Sequence, residues 1–172
     1  ANLMLLLDDS GSMDWDFMPG AISSAEIPAT TPVDIKLQTY TKNTLYYNPG
    51  VDYFPWRTAT TGVRLAVTPY SAVYSNNQQA SGGTTDLNSA AQVFHVPKVG
   101  ITNMNDASQY YRYVLKTDGT AERQILNGAN VWVFDQPVTT FTWPGVNPRS
   151  VAEERQNFAN WYTYYRSRVL LA

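Results

Sequence analysis

The sequence predicts a mainly β fold that begins with one strand buried on both faces and ends with one long helix. Three observations support this prediction. A continuous apolar run occupies residues 3–7, short strand-like runs separated by turn residues fill residues 14–149, and a helical period begins at residue 150. We therefore expect three segments, with bounds at 1–13, 14–149 and 150–172.

The first strand is predicted from Leu3 to Leu7. Five consecutive apolar residues are typical of a strand in a parallel sheet that helices cover on both faces. Ala1 enters this strand at once, and the last residues, RSRVLLA, stop within an apolar helical pattern. We therefore expect the sequence to be part of a longer polypeptide.

The middle segment has the composition of β structure, rich in Tyr, Thr, Asn, Gly and Pro. Thr117–Thr120, TDGT, is predicted to be a hairpin turn. His95 alternates with apolar residues in AQVFHVPK, which indicates an ordinary strand residue. The runs predicted to be strands are VRLAVTPYSAVY, AAQVFHVPKVGI, YYRYVLKT, AERQIL, NVWVF and TTFTW.

A helix is predicted from about residue 150 to the C-terminus. Ser150 and Glu153 have the spacing of a capping box, in which each side chain binds the backbone N–H of the other residue. The pattern predicts a buried apolar face and an opposite polar face. The apolar face comprises Val151, Phe158, Trp161, Tyr162, Tyr165 and Val169, and the polar face Gln156, Asn160, Thr163 and Ser167.

The composition excludes several classes of function. Charged residues make up 15% of the chain, below the roughly 25% that is usual, and the net charge is −2 without a long basic run, so nucleic-acid binding is not expected. No apolar stretch reaches the roughly 20 residues of a membrane span. The absence of cysteine excludes disulfides and thiolate sites, and a single histidine argues against a Ser-His-Asp triad. Low charge with many uncharged polar residues is typical of exported β-rich proteins.

The loop after the first strand carries a candidate metal site. Asp8, Ser10 and Ser12 form the pattern D-x-S-x-S, and Gly11 allows a tight bend between the two serines. A carboxylate and two hydroxyls at alternate positions are suitable ligands for Mg²⁺, Mn²⁺ or Ca²⁺. Three side-chain oxygens do not fill an octahedral shell, so further ligands must come from elsewhere.

Other interpretations of this loop remain open. Asp and Ser side chains also cap ordinary loops. Asp9–Ser12, DSGS, matches the aspartic-protease signature, but that chemistry needs a second carboxylate motif, and none occurs in the sequence. The D-x-D-x-T motif of aspartyl phosphatases would need an aspartate where Ser10 stands.

Three stretches together resemble the type IV pilus tip adhesins of the PilC/PilY type. They are LLLDDSGSMDW, the aromatic segment NTLYYNPGVDYFPW at residues 43–56, and EERQNFANWYTYYRSRVLLA at residues 153–172; VFHVPK at residues 93–98 adds support. The first stretch also resembles the first strand and metal-ion-dependent adhesion site of a von Willebrand factor A domain.

The resemblance implies an α/β von Willebrand factor A-like fold of which this chain holds only the first strand and the first helix. Segment 1–13 would be the strand and adhesion-site loop, 14–149 a large β-rich insertion, and 150–172 the first helix. It also implies a non-enzymatic protein at the pilus tip, extracellular and associated with the outer membrane. The implied partners are pilins or minor pilins, the remainder of its own polypeptide, and a host or surface ligand.

For the metal, the resemblance implies that Asp8, Ser10 and Ser12 hold a divalent cation with a threonine and an aspartate from two later loops. With a long insertion, both of these residues lie beyond Ala172. Alternatively, SGGTTDLNSAA and YVLKTDGTAE resemble the later loops of a compact domain, and Thr84 and Asp118 would complete the site. The segment between Ser12 and Thr84 lacks the helical periods of a compact domain, which favours the insertion.

Overall fold

The structure, a computed structural model, describes residues 35–74 and 83–166. The predicted first strand and adhesion-site loop lie outside this range, as do the last six residues. The division of the chain into residues 1–13, 14–149 and 150–172 therefore stays a prediction.

The described residues form short antiparallel strands and one helix near the C-terminal end. β1 pairs with β2, β3 to β6 form a four-stranded meander, and β7 pairs with β8. The elements are β1 Val73–Tyr74, β2 Thr84–Thr85, β3 Gln92–Pro97, β4 Tyr110–Leu115, β5 Ala121–Leu126, β6 Trp132–Pro137, β7 Thr140–Phe141, β8 Arg149–Ser150 and α1 Val151–Tyr164.

The meander confirms the strands predicted in the second half of the chain. The predicted turn at Thr117–Thr120 joins β4 to β5, with Lys116 and Thr120 paired by a backbone hydrogen bond of 2.9 Å. Gly119 has a φ of +87°, which a side chain would disfavour. The Asp118 carboxylate accepts hydrogen bonds from the N–H and hydroxyl of Thr120, at 2.9 and 2.6 Å. The turn is therefore built as the sequence predicts.

The prediction of a strand over VRLAVTPYSAVY, residues 63–74, is wrong for most of its length. Only Val73–Tyr74 forms a strand, and Arg64 makes an isolated bridge with Arg57. Pro69 has no N–H to give to a ladder, which disfavours a continuous strand. Instead, α1 supplies hydrogen-bond partners to this part of the chain.

The capping box predicted at the start of the helix is confirmed. The Glu153 N–H donates to Ser150 Oγ, and the Ser150 N–H donates to the Glu153 carboxylate. The predicted continuation through Tyr165 and Arg166 is wrong, because α1 ends at Tyr164 and Tyr165 leaves helical geometry. The Tyr164 hydroxyl donates to the Ala66 carbonyl, and the Tyr165 hydroxyl donates to the Phe54 carbonyl. The helix therefore ends where its side chains make tertiary contacts, and no Gly or Pro in the sequence marks this position.

The prediction that α1 has one buried and one polar face is also wrong. Asn160 and Thr163, assigned to the polar face, are buried, and Glu154, Asn157 and Tyr164 are buried as well. Phe158 and Trp161 pack in the main apolar cluster with Tyr47, Phe94, Leu115 and Phe141. Segments on several sides therefore enclose the helix.

Polar side chains of α1 bind the backbone of the irregular segment Leu45–Thr68. Trp161 Nε1 donates to the Leu45 carbonyl at 2.8 Å, and Asn160 Nδ2 to the Tyr53 carbonyl at 2.8 Å. Gln156 Nε2 donates to the Thr68 carbonyl at 2.9 Å. These bonds replace the strand pairing that the segment lacks, so polar helix residues can be buried without losing hydrogen bonds.

A buried ion pair joins β8 to the first turn of α1. Arg149 Nε lies 2.6 Å from a Glu154 oxygen, and the Glu154 side chain is 0% exposed. The same guanidinium binds Asp52 at 2.6 Å and the Pro49 carbonyl. The other Glu154 oxygen accepts a hydrogen bond of 2.8 Å from the Tyr47 hydroxyl. The cluster ties the loop at residues 47–52 to the start of the helix.

We expect Arg149→Met to lower the free energy of unfolding by about 3–5 kcal/mol, because Glu154 would stay buried without its counter-ion. Urea denaturation measures the change. Arg123→Met is the matched control, since the pair Arg123–Asp135 has the same 2.6 Å separation but is partly exposed. That variant should lose about 1 kcal/mol or less. Equal losses in the two variants would contradict the role given to burial.

We expect Asn157→Asp, which keeps the side-chain shape, to cost about 3 kcal/mol or more. Asn157 Nδ2 donates to Tyr47 Oη and to the Val51 carbonyl, both at 2.9 Å, and the aspartate would place a buried charge against that carbonyl. Thermal denaturation measures the change. Asn127→Asp is the control, because exposed Asn127 uses its oxygen to accept from backbone N–H groups. Its stability should change by about 0.5 kcal/mol at most.

Candidate functional site

The residues predicted to start the metal site lie outside the described part of the chain. This holds for Asp8, Ser10 and Ser12, and also for Asp9 of the alternative protease motif. Their assignment stays a prediction. The structure does place Thr84 and Asp118, the residues that would complete the site in a compact domain.

Asp118 is occupied by interactions within its own hairpin. One carboxylate oxygen accepts both hydrogen bonds from Thr120, and the other lies 3.7 Å from Lys116 Nζ. The Thr120 bonds lower the pKa of Asp118, with a smaller contribution from Lys116. A metal ion bound by Asp118 would compete with the Lys116 ammonium for the carboxylate. The geometry therefore indicates that Asp118 stabilises the turn.

Thr84 is an exposed residue of β2, paired with Tyr74 of β1. Across residues 35–74 and 83–166, no group of three histidine, aspartate or glutamate side chains is arranged to hold a metal ion. In these same ranges, no helix combines the length and hydrophobicity that a bilayer-spanning segment requires.

Two open clefts lie at the ends of the meander. One, of about 230 Å³, is lined by uncharged residues from Gln136 to Trp143, together with Tyr113. The other, of about 400 Å³, is lined mostly by polar residues, which include Asp106 and Asn127. Asp106 accepts hydrogen bonds from Ser108 and Gln109, and Asn127 accepts from Ala129 and Val131. These polar groups stabilise their own turns.

The aromatic segment at residues 46–56 mainly packs the fold. The Tyr47 ring is 0% exposed and lies 4.9 Å from Phe158, and Tyr46 contacts Trp161 at 5.1 Å. Phe54 is the exception, since it is 49% exposed and lies 4.6 Å from the Arg64 guanidinium. The segment therefore joins the irregular chain to α1.

The sequence analysis missed the buried polar cluster around Glu154. A signal was present, because Glu154 precedes Phe158 by four residues and Trp161 by seven, which places it in the apolar stripe of the helix. Burial raises the pKa of Glu154, and the hydrogen bond and charge of Arg149 oppose this effect. Burial and Glu154 raise the pKa of Tyr47 well above its usual value, so this hydroxyl stays a donor.

Two curated proteins are similar to almost the whole chain. A protein named type IV pilus biogenesis factor PilY1 from Pseudomonas aeruginosa strain UCBPP-PA14 is 30% identical over 177 aligned residues, covering 98% of this chain. The protein of the same name from P. aeruginosa strain PAO1 is 26% identical over 178 aligned residues, again covering 98% of this chain. The chain spans 14% and 13% of the lengths of these relatives.

No protein-family model matches the chain, and no solved structure matches it significantly. The similarity to the two relatives runs through the irregular segment, the meander and α1 alike, because it covers 98% of the chain. The chain is therefore homologous to one segment of the type IV pilus biogenesis factors named PilY1, which is the family that its motifs resemble.

Proposed function

We propose that this chain is a segment of a type IV pilus biogenesis factor that acts at the cell surface, at the pilus tip, by binding and not by catalysis. The observation that carries the proposal is the 30% identity to PilY1 over 98% of the chain. The name of that relative refers to pilus biogenesis, and pilus components such as pilins or minor pilins are the proposed partners. Attachment to a host or another surface is the proposed second role.

The proposed mechanism of attachment is capture through a bound metal ion. Asp8, Ser10 and Ser12 supply one carboxylate and two hydroxyls from a single bend, a set that suits Mg²⁺, Mn²⁺ or Ca²⁺. An open coordination position would accept a carboxylate oxygen from a ligand. The turn interactions of Asp118 favour completion of the shell by residues beyond Ala172 over completion by Thr84 and Asp118.

We further propose that residues 1–13 and 150–172 belong to one von Willebrand factor A-like domain interrupted by residues 14–149. The contacts of α1 are compatible with this arrangement, because the described part of the interrupting segment binds the helix through hydrogen bonds from Tyr47 to Glu154 and between Thr68 and Thr163. Through these contacts, the helix would transmit a conformational change at the adhesion site to the insertion. The remainder of the polypeptide then counts as a partner of this segment.

We expect Asp8→Asn to weaken metal binding by at least about 10-fold. Loss of a residue that only hydrogen-bonds a metal ligand already lowers the affinity by about 10- to 100-fold, and loss of a direct ligand should cost at least as much. Isothermal titration of the full-length protein with Mg²⁺, Mn²⁺ and Ca²⁺ measures the affinity. Asp9→Asn is the matched control, since it removes the adjacent carboxylate and should leave the affinity within about 2-fold. Asp118→Asn should behave like this control. Unchanged binding in Asp8→Asn would remove the metal assignment, and a loss in Asp118→Asn would restore the compact-domain site.

The same variants separate adhesion from hydrolysis. An aspartic hydrolase would use Asp9, so its activity on a peptide substrate at acid pH would be lost in Asp9→Asn. We expect no such activity in the wild type. A protein with neither metal binding nor proteolysis would be a structural filament component, and the capture mechanism would then be wrong.

A further inference from the structure

Residues 35–46, here called the strap, cover the outer edge of β3. Thr39 Oγ1 donates to the His95 carbonyl at 3.1 Å, and the Tyr46 hydroxyl donates to the Val93 carbonyl at 2.7 Å. Within the described part of the chain, β3 has a strand neighbour only on its other side, where β4 lies. Side-chain hydroxyls of the strap therefore cap an edge that would otherwise offer free carbonyls.

His95 lies at the centre of this contact. It is 2% exposed, and its ring lies 5.1 Å from that of Trp132. Its Nδ1 is 3.1 Å from the Gln38 carbonyl of the strap. Because a carbonyl only accepts, Nδ1 carries the proton, and the neutral ring keeps a lone pair on Nε2. Nε2 is buried and has no hydrogen-bond partner among the described residues.

The charged groups around His95 would not neutralise the positive charge that a second proton brings to the ring. Arg112 on β4 is the direct cross-strand partner of His95, so a protonated ring would oppose a cation. Glu122 lies on the same face of the sheet, but it is engaged by Gln124 at 2.6 Å and lies 3.6 Å from Lys116. Tyr46 of the strap and Tyr110 of β4, whose hydroxyl lies 3.2 Å from that of Thr41, add hydroxyl groups and no carboxylate. The strap itself contains Lys36 and Lys42 and no Asp or Glu.

Protonation of His95 is therefore disfavoured while the strap is in place. Burial lowers the pKa of His95 to about 4; the Gln38 hydrogen bond opposes this shift, and Arg112 adds to it. In a solvated state the pKa of a histidine is about 6.5. Because the opened state binds protons more readily, falling pH favours opening between about 6.5 and about 4, and the effect levels off below that range.

We propose that His95 is a proton-sensitive latch: neutral, it holds the strap on β3, and on taking up a proton at Nε2 it releases the strap and uncovers the β3 edge. The opening is confined to the part of the strap that contacts His95, because Ile35 packs with Ala107 and Tyr110 in a cluster separate from the main one, whereas Leu45 and Tyr46 stay bound to Trp161 of α1. This inference is independent of the metal site and of the proposed adhesion.

Hydrogen exchange read by mass spectrometry tests the latch in the full 172-residue chain. Between pH 7.5 and pH 4.5, after correction for intrinsic exchange, opening of the strap should rise on the order of 70-fold, as the two pKa values require. Peptides from α1 should keep their protection. In His95→Gln, which keeps an amide to bind the Gln38 carbonyl and does not titrate, the rise should disappear.

Two results would overturn the latch: strap protection that does not change with pH in the wild type, or the same acid response in His95→Gln. If the variant does not fold, the wild type still decides the matter. His95 is the single histidine of the chain, so its ring resonances can be followed by NMR without ambiguity. Titration near pH 6.5 with the strap still protected would contradict the proposal, whereas titration together with loss of strap protection would support it.

Discussion

The described fold depends on hydrogen bonds between α1 and a segment that has no strand of its own. From Leu45 to Thr68 the strand-type pairing is limited to the isolated bridge between Arg57 and Arg64, and the other backbone hydrogen bonds close turns. Six carbonyls of this segment accept instead from side chains of α1 and the adjoining Tyr165, at distances of 2.8–2.9 Å. The acceptors are Leu45, Val51, Tyr53, Phe54, Ala66 and Thr68.

This arrangement makes the helix and the irregular segment mutually dependent. A hydrogen bond adds only about 1 kcal/mol on average, but a buried carbonyl left without a donor costs about 1–3 kcal/mol. The segment can therefore lie against the core only where the helix supplies donors at matching positions. Conversely, Asn157, Asn160 and Thr163 would be costly in the core without the segment that binds them.

The buried pair Arg149–Glu154 extends the same logic to charge. It fixes the first turn of α1 against the loop at residues 47–52, and Tyr47 satisfies the remaining Glu154 oxygen. The cluster adds little net stability, because desolvation offsets much of the attraction, and we infer that its main effect is to fix the orientation of α1. If α1 follows the adhesion-site loop in a von Willebrand factor A-like domain, as we propose, its orientation is coupled to the insertion through this cluster.

Local patterns determined much of the structure. The alternation in AQVFHVPK, the turn residues around Gly119, and the spacing of Ser150 and Glu153 specify β3, a hairpin and a helix start, because each acts within a few residues. Sequence also supplied the family resemblance, which the similarity to PilY1 over 98% of the chain supports. Only the tertiary structure decided that Asn160 and Thr163 are buried, that residues 63–72 form no strand, and that Asp118 stabilises its own hairpin turn. These outcomes depend on which distant backbone groups meet the helix, and a periodicity of 3.6 or 2 residues carries no information about such partners.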